Sequence, residues 1–194
     1  AGFLLARNGD YENAIVIGSK AFDQQCRDDR VNAKLILAMA YYAKWAKLSW
    51  PSTDTREADQ LFNRGQALYS DMPVVLYSLA RSPHTAIVIP ALKQRGIGID
   101  APDREGVSAL GHSVLKQDIE AGQALIRQGA DVNQRMYPDS LTPLMIAASR
   151  GDHVFVAMLL KNGADRKLRT RSGYTAERLA TESGFKEIAA QLAA

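Results

Sequence analysis

The stretch Thr142-Pro143-Leu144-Met145-Ile146-Ala147-Ala148, continued by Leu159-Leu160-Lys161-Asn162-Gly163-Ala164-Asp165, decides the fold. Thr-Pro-Leu opens a helix: threonine is a favoured N-cap, and proline suits the first turn, where its missing N–H costs nothing. Ala147 and Ala148 are small enough for a second helix to pack close. Gly163-Ala164-Asp165 ends that second helix, as glycine commonly does. Two short helices joined in this way leave an apolar face uncovered, so the unit requires stacked neighbours.

The spacing of related segments locates those neighbours. Ser108-Ala109-Leu110 precedes Thr142-Pro143-Leu144, and Thr175-Ala176 follows it, each at an interval of roughly 33 residues. The first interval exceeds the second by a single position. The helix-ending glycines keep the same beat: Gly129-Ala130-Asp131 stands one interval before Gly163, and Gly96-Ile97-Gly98-Ile99-Asp100 begins one interval before that. This period and these motifs resemble the ankyrin-repeat family. The resemblance covers roughly residues 74–194 and is strongest at 103–165. It implies about four units, over 73–102, 103–136, 137–170 and 171–194. It also implies binding rather than chemistry, since stacked repeats present an extended concave surface.

The outer units depart from the pattern. Val75-Leu76-Tyr77 stands where Thr-Pro-Leu belongs, and Pro83 and Pro90 are expected to interrupt helices. Glu177 and Arg178 in the last unit suit a terminal repeat whose outer face meets water. In the unit from Ser108, Ser113-Val114 replaces Ala-Ala and Gln117 replaces a turn glycine, so its helix-turn-helix geometry is the least well specified.

Residues 1–72 differ. Gly9-Asp10-Tyr11-Glu12-Asn13-Ala14-Ile15 with Lys20-Ala21-Phe22 resembles the second helix of a tetratricopeptide repeat, with Ala14, Gly18 and Ala21 on one helix face. Leu37-Ala38-Met39-Ala40-Tyr41-Tyr42 resembles the first helix of another. Ala58, Phe62 and Gly65 would lie on its partner helix, after an insertion around Trp50-Pro51-Ser52-Thr53-Asp54. The proline that usually closes each such repeat is missing from its expected place. This placement puts Ala1-Gly2 in the middle of a helix and leads us to expect natural sequence upstream. The fold expected is therefore all-α, a helical-repeat solenoid: tetratricopeptide-like helices over 1–72, then ankyrin repeats over 73–194.

Of the 194 residues, 46% are hydrophobic and 23% charged, enough for one continuous core or two short ones. No apolar run approaches the roughly 18 residues of a membrane helix. The single cysteine, Cys26, excludes an internal disulfide and a cysteine-based metal cluster, and reads as a small buried residue near a helix end. Residues 1–72 hold nine basic and nine acidic side chains, so the net charge of +3 belongs to the remainder. Much of it lies at Arg166, Lys167, Arg169 and Arg171, in the expected hairpin between the last two repeats. The choice there is between a solvated turn and a surface for an acidic protein partner. Nucleic acid fits poorly, because the cluster is short and lacks interleaved aromatics.

Motifs for catalysis are missing. His84, His112 and His153 fall in three different repeats, with no His-x-x-x-His or His-Glu-x-x-His spacing to grip a metal. There is neither a Gly-x-Ser-x-Gly elbow nor a phosphate loop ending in Gly-Lys-Ser/Thr. No enzymatic role, metal or cofactor is expected.

In the ankyrin family, partners usually touch hairpin tips and the exposed face of the inner helices. By resemblance the central hairpin is Gln134-Arg135-Met136-Tyr137-Pro138-Asp139-Ser140-Leu141, one residue longer than the period requires. Arg135, Met136, Tyr137 and Asp139 are its candidate contacts. Tyrosine and arginine are enriched at interface hot spots; the plain alternative is that Tyr137 folds back on a neighbouring repeat. His112, Lys116, Ile146 and Arg150 are expected on the inner-helix face, and Lys167, Arg169 and Arg171 on the next hairpin. An apolar Ile146 on that face would have no core to fill. Trp45 and Trp50 read as core or insertion-packing residues.

Two function classes remain. Small bacterial proteins combining such repeats often resemble immunity proteins, some of them periplasmic lipoproteins that neutralise phospholipase effectors of type VI secretion systems. A lipid anchor upstream of Ala1 is compatible with that resemblance, which would give a periplasmic location. The partner would then be a secreted bacterial toxin, occluded at its active-site mouth or membrane-binding surface. The other class is a scaffold or adaptor, host-directed or assisting assembly, with a cytoplasmic location.

Overall fold

The computed structural model describes residues 13, 16, 27–48, 55–68, 70–80 and 85–193. Among them lie ten helices and, outside the helices, one isolated antiparallel bridge between Met136 and Leu141. The described residues are all-α, as the sequence predicts. None of its described helices is long and apolar enough to cross a membrane. The proposed tetratricopeptide helix around Gly9–Phe22, Cys26, the Trp50–Asp54 insertion and Pro83 lie outside the described residues, apart from Asn13 and Val16.

The chain divides into two compact units, residues 1–98 and 99–194. The first contains α1 (Arg27–Leu48), α2 (Thr55–Leu68), α3 (Met72–Leu79) and α4 (Thr85–Gln94). Helix α1 packs against α2 and also meets α3 and α4. Its close approach to α2 depends on small side chains. Ala38, Ala40, Ala43 and Ala46 are buried, and Gly65 of α2 lies against the Tyr42 ring, where a Cβ would come within 3.0 Å of it. Phe62 supplies the aromatic contact, 5.6 Å from Tyr42 and 5.0 Å from Trp45 between ring centroids. Trp45 is thus a core residue. Arg95, just beyond α4, lays its guanidinium 4.3 Å from the Phe62 centroid and pairs with Asp59 of α2.

Of residues 73–102, read from sequence as a first ankyrin unit, 73–98 fall within the N-terminal compact unit. Val75 and Leu76 do not begin a helix. They are buried within α3, whose N-cap is Asp71 and whose first turn holds Pro73. Nor does Pro90 end a helix, for α4 runs through it. A proline there gives up one backbone bond but leaves the apolar face intact. Val88, Ile89, Ala91 and Leu92 supply that face.

The second unit holds three helix pairs: α5 (Ala109–Leu115) with α6 (Ile119–Arg127), α7 (Pro143–Ser149) with α8 (His153–Lys161), and α9 (Ala176–Glu182) with α10 (Lys186–Ala193). Identical capping explains why each inner helix starts where it does. Ser108, Thr142 and Thr175 accept hydrogen bonds from the N–H groups of Gly111, Met145 and Arg178. Asp118 and Asp152 cap α6 and α8 in the same way. A hydroxyl or carboxylate at these positions satisfies N–H groups that the helix leaves unpaired.

Stacking follows from these starts. Helix α7 packs between α5 and α9 and against α8. Leu110, Leu144, Leu125, Leu159 and Ile188 are almost fully buried along this stack. Leu160, next to Leu159, is only half-buried. The unit from Ser108, the least specified in sequence, adopts the full helix-turn-helix geometry. Gln117 takes a left-handed backbone with φ 55°, where the following repeat has Gly151 at φ 74°. Gly151 cannot be replaced so simply, because Phe185 of the last repeat lies where its Cβ would be.

Candidate partner-binding surface

The segments between helix pairs project as hairpins tied side to side. The Asp131 N–H donates to Asp100 Oδ1 at 3.0 Å, and the Asp165 N–H to Asn133 Oδ1 at 2.8 Å. The Asn133 side-chain amide donates to the Gly163 carbonyl at 3.3 Å. Burial raises the Asp100 carboxyl above its ordinary range; the Asp131 N–H bond opposes this, and the nearby Asp131 charge adds to it. Each bond joins residues about one repeat apart, so neighbouring hairpins hold a fixed register.

Turn closure differs at the central hairpin. Asp103 and Thr170 occupy equivalent places, five residues before the N-caps Ser108 and Thr175. Asp103 Oδ1 accepts the N–H groups of Glu105 and Val107, and Thr170 Oγ1 accepts that of Tyr174. At the corresponding place before Thr142 stands Tyr137. A phenol ring cannot close the turn in that manner. The ring of Tyr137 instead projects outward and is 67% exposed, the most exposed large apolar side chain among the described residues. Its backbone remains anchored: the N–H donates to the Gly106 carbonyl at 3.3 Å. Gly106 has φ 82°, and its missing Cβ leaves the space that Tyr137 Cβ fills.

The extra residue of this hairpin has a structural purpose. Met136 bonds through its N–H to the Leu141 carbonyl at 2.9 Å and turns inward. Its sulfur fills the space over Gly111, beside Val107. Met136 is 3% exposed, so the expectation that it contacts a partner is corrected: it is a core residue completing the face of α5. Ile146 is corrected likewise. All six residues from Pro143 to Ala148 are buried, because α7 is covered on both flanks and behind.

His112 is not presented freely either. Its Nε2 lies 2.7 Å from Asp103 Oδ2, and both side chains are largely covered. Burial by itself would raise the Asp103 carboxyl. Hydrogen bonds from the Val107 N–H, the His112 ring and the Glu105 N–H outweigh it and hold this carboxyl below its usual range. Lys116 and Arg150 stand at equivalent positions, the C-caps of α5 and α7, and reach solvent there. Cations at such positions offset the negative end of the helix dipole and remain open to contact.

The remaining candidates converge. Arg135 donates to the Arg169 carbonyl at 2.9 Å, and Arg169 donates to the Gly173 carbonyl at 2.9 Å. The Arg171 N–H donates to the Asp139 carbonyl at 3.0 Å, and its guanidinium lies 5.6 Å from the Tyr137 ring centroid. Lys167 is exposed, with its N–H on Asp165 Oδ1. The structure thus brings Arg135, Tyr137, Asp139, Arg169 and Arg171 together across two hairpins. Sequence reading missed the Asp103 clamp and the Gly106 seat beneath Tyr137. Asp103-x-x-Gly106 was the available signal, being the turn that the central hairpin replaces.

Comparison with known proteins agrees with this geometry. Residues 119–194 match the family model for ankyrin repeats in three copies. The chain is 33% identical over 82 residues to mouse protein phosphatase 1 regulatory subunit 27, covering 42% of this chain and 53% of that protein. It is 31% identical over 99 residues to the putative ankyrin repeat protein YahD of Escherichia coli K12, covering 51% and 49%. It is 28% identical over 114 residues to zygote-specific protein 3 of Chlamydomonas reinhardtii, covering 59% of this chain but 30% of that protein. The chain thus spans about half or less of the relatives it matches. Repeated caps, hairpin ladder and family match agree over residues 119–194, which match ankyrin repeats, a kind of protein–protein interaction module.

Proposed function

We propose that this chain acts as an inhibitor by binding, covering the active-site mouth or membrane-binding surface of a partner with the hairpin face of its ankyrin unit. The observation that carries this reading is the outward Tyr137 ring, placed where both neighbouring hairpins use a turn-closing side chain. A residue excused from holding its own turn is available to bind. Tyrosine flanked by arginine offers the rigid, amphipathic contact typical of hot spots. The platform beneath is preorganised by cross-hairpin hydrogen bonds, which lowers the ordering cost of association. A short ankyrin relative named as a regulatory subunit of a phosphatase is consistent with regulation of an enzyme by contact alone. The specific target we favour is a secreted bacterial toxin, a type VI phospholipase effector among the candidates, which makes the chain an immunity protein. No catalytic step is assigned to it.

The test is to isolate the partner with the full chain as bait, then assay the partner's own activity as the chain is titrated in. Loss of activity at one equivalent, relieved by Tyr137→Ala, supports inhibition. A partner that stays fully active when saturated favours the scaffold reading.

A further inference from the structure

The charge of this protein is concentrated on the two hairpins that carry Tyr137. Residues 134–141 and 165–174 contain Arg135, Arg166, Lys167, Arg169 and Arg171 against Asp139 and Asp165, a net charge of +3. That equals the net charge of the whole chain, so every other residue together nets zero. Outside these hairpins Arg95 pairs with Asp59 and Arg178 with Glu182. Among the described residues, Arg135, Lys167, Arg169 and Arg171 have no carboxylate partner.

These arginines are also held in place without being neutralised. Arg135 and Arg169 each spend one N–H on a backbone carbonyl, which fixes the side chain and leaves further donors of the five-donor guanidinium fork unused. Arg171 is positioned by the Tyr137 ring. A carbonyl bond and a ring contact cost the guanidinium none of its positive charge. The result is a row of oriented, uncompensated forks across two successive hairpins, with one apolar ring among them.

We infer that the partner meets these hairpins with a carboxylate-bearing segment that crosses both of them. This inference rests on the hairpin face being the binding surface and adds the chemistry of what it receives. Aspartate or glutamate side chains of the segment take paired N–H bonds from the arginines, since guanidinium and carboxylate match in bidentate geometry. An apolar residue of the segment packs on Tyr137. Nucleic acid is the weaker fit, because a single exposed aromatic offers no stacking ladder for successive bases.

The full chain is tested by fluorescence anisotropy against three labelled probes: a Glu/Leu peptide, its Gln/Leu counterpart, and a single-stranded RNA oligonucleotide. The expected result is binding of the acidic peptide alone, weakening at least about tenfold from low to high salt. Lys167→Glu with Arg171→Glu should abolish it, and Lys167→Gln with Arg171→Gln should weaken it, with unchanged thermal melts showing that both variants fold. Equal binding of the Glu and Gln peptides, no binding of either, or preference for the RNA would overturn the inference. The two readings fail separately. A partner whose binding depends on Tyr137 but not on salt or on the charge variants sinks only the acidic-segment inference. A partner indifferent to Tyr137 sinks the hairpin reading itself.

Discussion

The Arg171 guanidinium lies 5.6 Å from the centroid of the Tyr137 ring, and these two residues come from different repeats. Neither has a structural duty that accounts for this. Tyr137 is 67% exposed, and the hydrogen bond anchoring Arg171 to its neighbour uses its backbone, not its side chain. A contact of this kind at a surface is worth about 0.5–1 kcal/mol, too little for it to govern folding.

That magnitude separates binding from stability. Tyr137→Ala together with Arg135→Ala should weaken partner binding by about 2 kcal/mol or more if Tyr137 is a hot spot. The thermal midpoint should scarcely move, since Arg135 gives up only one exposed bond to the Arg169 carbonyl. Isothermal titration and a thermal melt of the same preparation check both halves. A large drop in the midpoint would make the pair structural.

Met136 gives the opposite pattern. It is 3% exposed and fills the space above Gly111. Truncating a buried methionine leaves a cavity, so Met136→Ala should cost about 2–5 kcal/mol. Urea denaturation measures this directly. A near-wild-type midpoint would return Met136 to the surface and reopen it as a contact.

Asp103 links stability to pH. Its carboxyl titrates lower in the folded protein than in the unfolded chain, where a value of about 3.9 is ordinary. The folded state therefore binds its proton less readily. The associated stabilisation is complete above about pH 5 and is lost as pH falls through the folded value. Asp103→Ala should cost about 1–3 kcal/mol near neutrality, because it strips acceptors from Val107, Glu105 and His112. It should also shrink the wild type's loss of stability on acidification. Denaturation curves for both proteins across the acidic range test this, and parallel acid limbs would remove Asp103 from the linkage.

What the sequence made legible was whatever repeats. The caps Ser108, Thr142 and Thr175 recur with the period of the family, and each inner helix begins directly after one. The period also exposed the longer central hairpin. It could not say which of the additional side chains turns inward, because Met136 and Tyr137 are adjacent apolar residues on one turn. Gly111 decides it by leaving a hole that only the inward residue fills. Ile146 was misplaced for a related reason: helical periodicity gives one buried face, whereas α7 is covered on several. Over residues 73–102 the motif departs furthest from the pattern, and Val75 and Leu76, at the Thr-Pro positions, are both fully buried.

Gln117 offers a test of the register in which the surface plays no part. It adopts φ 55° at the turn between α5 and α6, a left-handed conformation that costs a residue with a Cβ roughly 1–2 kcal/mol. The equivalent Gly151 in the next repeat meets the same requirement with φ 74°. Gln117→Gly removes the steric cost but gives the unfolded chain more freedom to lose. The difference should leave the variant about 0.5–1 kcal/mol more stable, read as a higher denaturation midpoint with unchanged slope. Gln117→Val should be less stable than wild type, because a β-branched side chain tolerates this backbone worst. If glycine destabilises and valine does not, the turn at 117 is not left-handed, and the first helix pair does not follow the geometry of the second.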